Sequence, residues 1–77
     1  MLKNKLEKIR FKLSDKKGSE VTQLEFAKSV LDVGQSQYNR WARQEVQPSL
    51  DMAFWLAAKL DCKIEDLFDY TPPKTGE

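Results

Sequence analysis

Apolar residues recur at helical spacing through most of the chain. Leu2, Leu6, Ile9 and Leu13 are separated by four, three and four positions, with Lys3, Lys5, Lys8 and Lys12 mostly off that stripe. This predicts a first amphipathic helix. The polar run Ser14-Asp15-Lys16-Lys17-Gly18-Ser19 should end it near Ser14 and open a long loop over residues 14–20. Thr22-Gln23-Leu24-Glu25 then has the form of a capping box, with the Thr22 hydroxyl accepting from the amide of residue 25 and the Glu25 carboxylate reaching back to the amide of residue 22. Val21 and Phe26 can form the accompanying hydrophobic staple, and Leu24, Phe26, Ala27, Val30 and Leu31 supply the buried side of a second helix ending near Leu31 or Asp32.

A very short connection, Asp32-Val33-Gly34, leads to a third helix over about residues 35–44. Tyr38 and Trp41 are its apolar pair, and the rest of it is polar, so it leaves a wide polar face free. Ser49 is a good N-cap for a fourth helix, with Asp51 complementing the dipole and Leu50, Ala53, Phe54, Leu56, Ala57 and Leu60 as its apolar side. A last turn or two should cover Ile64, Leu67 and Phe68, and residues 71–77 should form a disordered tail. No stretch alternates convincingly as a strand. The expectation is one all-α domain over residues 1–70, with five short helices. The second and third are close enough to make a helix-turn-helix.

Composition narrows the chemistry. Seventy-seven residues make one small domain with a marginal core. The single Cys62 cannot form an internal disulfide, and without histidine there is almost nothing to hold a zinc ion, so no metal or other cofactor is expected. Cys62 itself fits a small packed hydrophobe. One unpaired cysteine and no leader segment suit a cytoplasmic protein, and no apolar run approaches the roughly 20 residues that cross a bilayer. There is no paired-carboxylate set in an evident cleft and no glycine-rich phosphate loop, which argues against an enzyme or a small-molecule site. Net charge is only +1, but residues 1–44 carry ten Lys/Arg against five Asp/Glu, whereas residues 45–77 carry three against seven. That split suggests one electropositive face.

The ordered set Val21-Thr22-Gln23-Leu24-Glu25-Phe26-Ala27, Tyr38-Asn39-Arg40-Trp41, Pro48-Ser49-Leu50, Leu56-Ala57-Ala58-Lys59-Leu60 and Ile64-Glu65-Asp66-Leu67-Phe68 resembles the phage repressor and Cro type of helix-turn-helix, also called Xre-like. The resemblance runs from Leu6 to Phe68 and implies a compact five-helix lambda-repressor-like domain that binds double-stranded DNA as a bacterial or phage transcriptional regulator. Four departures stand out. The segment between the first two helices is longer than usual. One extra residue lies between Ala27 and Tyr38, which should make the turn before the third helix unusual. Gly34 takes the usual place of a hydroxyl cap. Ala42 takes the place of a glutamate that commonly pairs with an arginine of the first helix, which leaves Arg10 to solvent, another acid or phosphate.

On periodicity alone the polar side of the third helix is a solvated face. The resemblance makes it the recognition helix. Gln35 and Ser36 would lie at the groove end and Arg40 one turn on, with Gln37 and Asn39 flanking them. Glutamine can pair with adenine, arginine with guanine, and serine with either. Gln23 and Arg43 would meet phosphates. Lys12, Lys16 and Lys17, on the expected loop, are as consistent with plain solvation as with extra backbone charge. The spacing of Tyr38 and Trp41 favours core over base stacking.

Relatives bind as two-fold dimers, so a homodimer is a further expectation. Met52, Trp55, Phe68 and Tyr70 are the candidate interface residues. Trp55 falls where relatives carry a polar residue, and either it makes protein contacts or the long first loop folds over it. The competing class of function is a protein-interaction or antitoxin-like module on the same fold, with a polypeptide as its main ligand.

Overall fold

The computed structural model describes residues 2–72. A short strand, β1 (Leu2–Asn4), leads into α1 (Leu6–Lys17). After a turn, α2 (Gln23–Glu25) runs directly into a π-helical stretch (Phe26–Leu31). Then come α3 (Gln35–Ala42), α4 (Leu50–Leu60), a 3-10 turn (Ile64–Asp66) and β2 (Phe68–Tyr70). Of the expected tail, only Thr71 and Pro72 fall among the described residues.

Two helix starts follow the side-chain chemistry. The Thr22 hydroxyl accepts from the Glu25 amide at 3.1 Å, and the Ser49 hydroxyl accepts from the Met52 amide at 3.2 Å. The reciprocal half of the capping box is replaced, because Glu25 pairs with Lys17 at 3.0 Å instead of reaching back.

Helix α1 does not stop at Ser14. It continues through Lys17 and is closed by Gly18 in the left-handed region (φ +79°), whose amide reaches the carbonyls of Ser14 and Asp15. Ser14 is tolerated inside because its hydroxyl donates to the Arg10 carbonyl at 3.1 Å and accepts from the Val21 amide at 2.9 Å. The expected loop is therefore mostly helix. Lys16 and Lys17 are helix-surface residues, and the connection that remains before α2 is residues 18–22.

The extra residue between Ala27 and Tyr38 does not distort the turn alone. A π turn holds close to one residue more than an α turn. The π stretch accommodates it while keeping Phe26, Ala27 and Leu31 fully buried, and Asp32 ends it in the left-handed region (φ 58°).

The core gathers Leu6 from α1, Phe26 and Leu31 from the π stretch, Tyr38 and Trp41 from α3 and Leu56 from α4, with Val21 and Leu67 from the connecting segments. Phe26 meets Tyr38 edge-on, with centroids 5.6 Å apart. Three expected core positions are outside it: Leu24 is 44% exposed, Leu50 70% and Phe54 58%. In α4 the small Ala53 and Ala57 with Leu56 form the buried stripe, which rotates Leu50 and Phe54 to the surface.

The fifth helix is reduced to the 3-10 turn, and beyond Leu67 the chain is extended. β2 pairs antiparallel with β1, matching Leu2 to Tyr70 and Asn4 to Phe68. Leu2 is thus a strand residue and not part of the first helical stripe. The sheet is anchored by buried Asn4, whose Nδ2 donates to the Trp41 carbonyl at 2.8 Å and to Gln47 Oε1 at 3.0 Å. The Gln44 side chain holds the Asn4 backbone on both sides, at 3.0 Å each. Among the described residues no helix is long and apolar enough to cross a membrane.

Candidate nucleic-acid interface

Helix α3 starts at Gly34, an N-cap without a side-chain bond, and buries Tyr38 and Trp41. At about 100° per residue the opposite arc carries Gln35, Asn39, Arg43, Ser36 and Arg40 in angular order. Gln35, Ser36, Gln37 and Arg40 are all exposed, and none of their side chains bonds to another described residue. Ser36 and Arg40 stand one turn apart at the centre of the arc. Gln37 lies at its far edge, beside the buried side. Asn39 is half-buried with its Oδ1 fully enclosed, so it sits at the edge of the face.

Gln23, Asn39 and Arg43 line one small cavity of about 190 Å³. It unites the two residues expected at phosphate with Asn39 of α3. Gln23 is in the first turn of the second helix, where unpaired amides and the dipole favour an anion. The Arg43 guanidinium is exposed and leans on Glu45 at 3.0 Å, an ion pair that solvent weakens.

A polar cluster behind this face is the part that sequence reasoning missed. Arg10 is not left to solvent. Its Nε and Nη2 donate to Glu7 at 3.1 and 2.7 Å, and its Nη1 donates to the Val21 carbonyl at 2.7 Å. The Tyr38 hydroxyl donates to the same Glu7 carboxylate. Burial raises the Glu7 carboxyl, but hydrogen bonds from Arg10, Tyr38 and Gln23 outweigh it and hold the group below its ordinary value. Burial and the adjacent Glu7 carboxylate push the Tyr38 phenol upward, so it stays a donor. Glu7 therefore joins α1 to the starts of the second and third helices. The acid missing at Ala42 is supplied from within α1, and a glutamate three residues before a buried arginine was the signal available for it.

A helix-turn-helix family model matches residues 18–67. The chain belongs to the Cro/C1-type, Xre-like helix-turn-helix family. No curated protein matches it. Helix-turn-helix domains of this family are in general DNA-binding regulators. In this one, the matched stretch covers the second helix, α3 and all of α4.

The residues expected at a dimer interface are dispersed in the helix-turn-helix domain. Trp55 is 37% exposed, with the Lys59 ammonium 5.0 Å above its ring. Met52 is half-buried and packs on the core, as does Phe68, while Tyr70 is exposed on β2.

Proposed function

We propose that this helix-turn-helix protein is a sequence-specific transcriptional regulator that lays α3 in the major groove of duplex DNA. The observation that carries the reading is the outward arc of α3. Gln35, Ser36 and Arg40 are exposed and unengaged beside the Gln23–Asn39–Arg43 cavity, which offers a phosphate contact at the groove edge. Gln37 and Asn39 flank the base-reading residues. Gln23 and Arg43 fix the register on the backbone. The family supports DNA as the ligand, and the free side chains support direct base readout.

A domain this small reads few base pairs, so we further propose a homodimer on a two-fold site. Trp55, partly exposed on α4, with Met52 three residues before it, is the surface chosen for that contact, and exposed Leu50 and Phe54 lie further around the same helix. Tyr70 and the partly covered Phe68 belong to a different element and contribute less.

The test is selection of bound sequences from random duplex DNA, followed by single substitutions. Arg40→Ala should cost on the order of 1–3 kcal/mol at the selected site and relax one base position. Gln23→Ala and Arg43→Ala should weaken binding to all sequences and flatten the salt slope. An Arg40→Ala protein that binds the selected site as tightly as the parent refutes the placement. Sedimentation of the parent and Trp55→Glu, with and without a palindromic site, tests the dimer. A strict monomer with full affinity for one half-site rules it out.

A further inference from the structure

Basic residues are not confined to the DNA-reading side. Lys5, Lys8 and Lys12 follow one another at spacings of three and four along α1. At about 100° per residue, Lys8 and Lys12 lie about 160° around the helix from Arg10, which faces α3 and Val21. The two faces of α1 thus have different neighbours. One holds the Glu7–Arg10–Tyr38 cluster, and the other opens on the end of α4.

On that second side there is a groove of about 240 Å³. Lys5, Lys8 and Lys12 border it, and Ile9, Leu60 and Cys62, all partly buried against the core, form its floor. Asp66 closes one end, but its carboxylate already caps the 3-10 turn by accepting from the Lys63 amide at 3.1 Å. Lys5 is paired with Asp69 at 3.3 Å, whereas Lys8 and Lys12 make no ion pair among the described residues. Burial and nearby Asp66 and Asp61 push the Cys62 thiol up, so the floor stays uncharged.

We propose that this groove binds an acidic polypeptide segment through one apolar anchor side chain, on the face of the protein turned away from DNA. Its size and its charge decide among occupants. Small-molecule sites run to roughly 300–1,000 Å³, and this groove falls short of that, which leaves room for one side chain. Lys8 and Lys12, without an ion pair, outweigh the single Asp66 carboxylate beside an uncharged floor and ask for anionic groups flanking an apolar one. A nucleic-acid backbone supplies the charge but nothing for the floor, and a bilayer surface engages protruding apolar residues better than a recess. An acid-flanked leucine or phenylalanine on a partner chain satisfies both parts. A DNA-bound protein could then hold a second protein without using the residues that read DNA.

The probe is a fluorescein-labelled peptide with three aspartates on each side of one leucine, followed by anisotropy with the full chain. The peptide should bind. Replacing its leucine with aspartate should weaken binding about tenfold or more. So should the double variant Lys8→Glu, Lys12→Glu. Cys62→Phe, which fills the floor, should abolish binding while its affinity for the selected duplex stays that of the parent, which shows that the domain is still folded. Equal binding of the all-aspartate peptide overturns the groove and leaves only surface charge. Competition by random duplex, or binding to phosphatidylglycerol vesicles without binding to the peptide, overturns the polypeptide assignment. Loss of base readout in Arg40→Ala with peptide binding intact separates this site from the DNA-binding reading.

Discussion

Replacing Glu7 with alanine removes the acid on which three side chains converge. Arg10 then keeps its bond to the Val21 carbonyl but loses two guanidinium–carboxylate bonds of 3.1 and 2.7 Å, with its own side chain only 9% exposed. Hydrogen bonds to charged groups contribute about 1.5–3 kcal/mol, and stranding one partner of a buried pair costs about 3–5 kcal/mol. Glu7 is 27% exposed, so water takes up part of its role and the lower end applies. The expected loss is roughly 2–3 kcal/mol, against about 5 kcal/mol for a domain of this class. Urea unfolding followed by tryptophan fluorescence reads it directly. Adding Arg10→Met to Glu7→Ala should not destabilise further, because the stranded charge is gone. The carboxyl sits below its ordinary value in the folded protein, so its contribution is fully present above the unfolded value of 4.5 and is lost as pH falls through the folded one. Glu7→Gln should therefore flatten the acid limb of the stability profile. A Glu7→Ala protein within about 0.5 kcal/mol of the parent would place the cluster among ordinary surface pairs and refute the reasoning.

Gly34→Ser should stabilise by about 0.5–1 kcal/mol in the same assay, because Gly34 has extended backbone with nothing near a built Cβ, and serine adds a cap. Asn4→Ala should cost about 1–3 kcal/mol by leaving the buried Trp41 carbonyl and the Leu6 amide without their side-chain partner, while the Gln44 bonds to the residue 4 backbone remain. Leu56→Ala, at a fully buried position, should cost roughly 2–5 kcal/mol and lower the melting temperature accordingly.

The parts of the fold that were legible in the sequence were those set by one residue and its near neighbours. Thr22 and Ser49 cap because a hydroxyl at the N-cap meets an amide three residues on, and Tyr38 and Trp41 are core because they are the only large apolar residues of a polar helix. Where apolar residues surround a helix, spacing cannot choose the buried stripe. In α4 it put Leu50 and Phe54 on the apolar side along with Ala53, Leu56 and Ala57, and packing buried only the last three of these. Ser14 looked like a terminator because its two backbone partners, at Arg10 and Val21, are set by the folded chain. The three-residue strands are too short for alternation to register, and their pairing joins opposite ends of the sequence. The polar arc of α3 was visible from composition, but its support by Glu7 required the tertiary contact with Tyr38.

The β1–β2 pairing brings Leu2 against Tyr70 and so closes the longest loop in the described chain. Such a contact is entropically late, since everything between must be ordered before the ends can meet cheaply. A pair of three-residue strands is also marginal by itself. It should be the last piece to close during folding and the first to open afterwards. Because Asn4 bridges this clasp to the Trp41 carbonyl and to Gln44, each opening releases the far end of α3 as well. Amide exchange at Asn4 and Gln44 should then be fast and matched, well ahead of Leu31 or Leu56. The order in which the ends come together thus sets how firmly α3 is held.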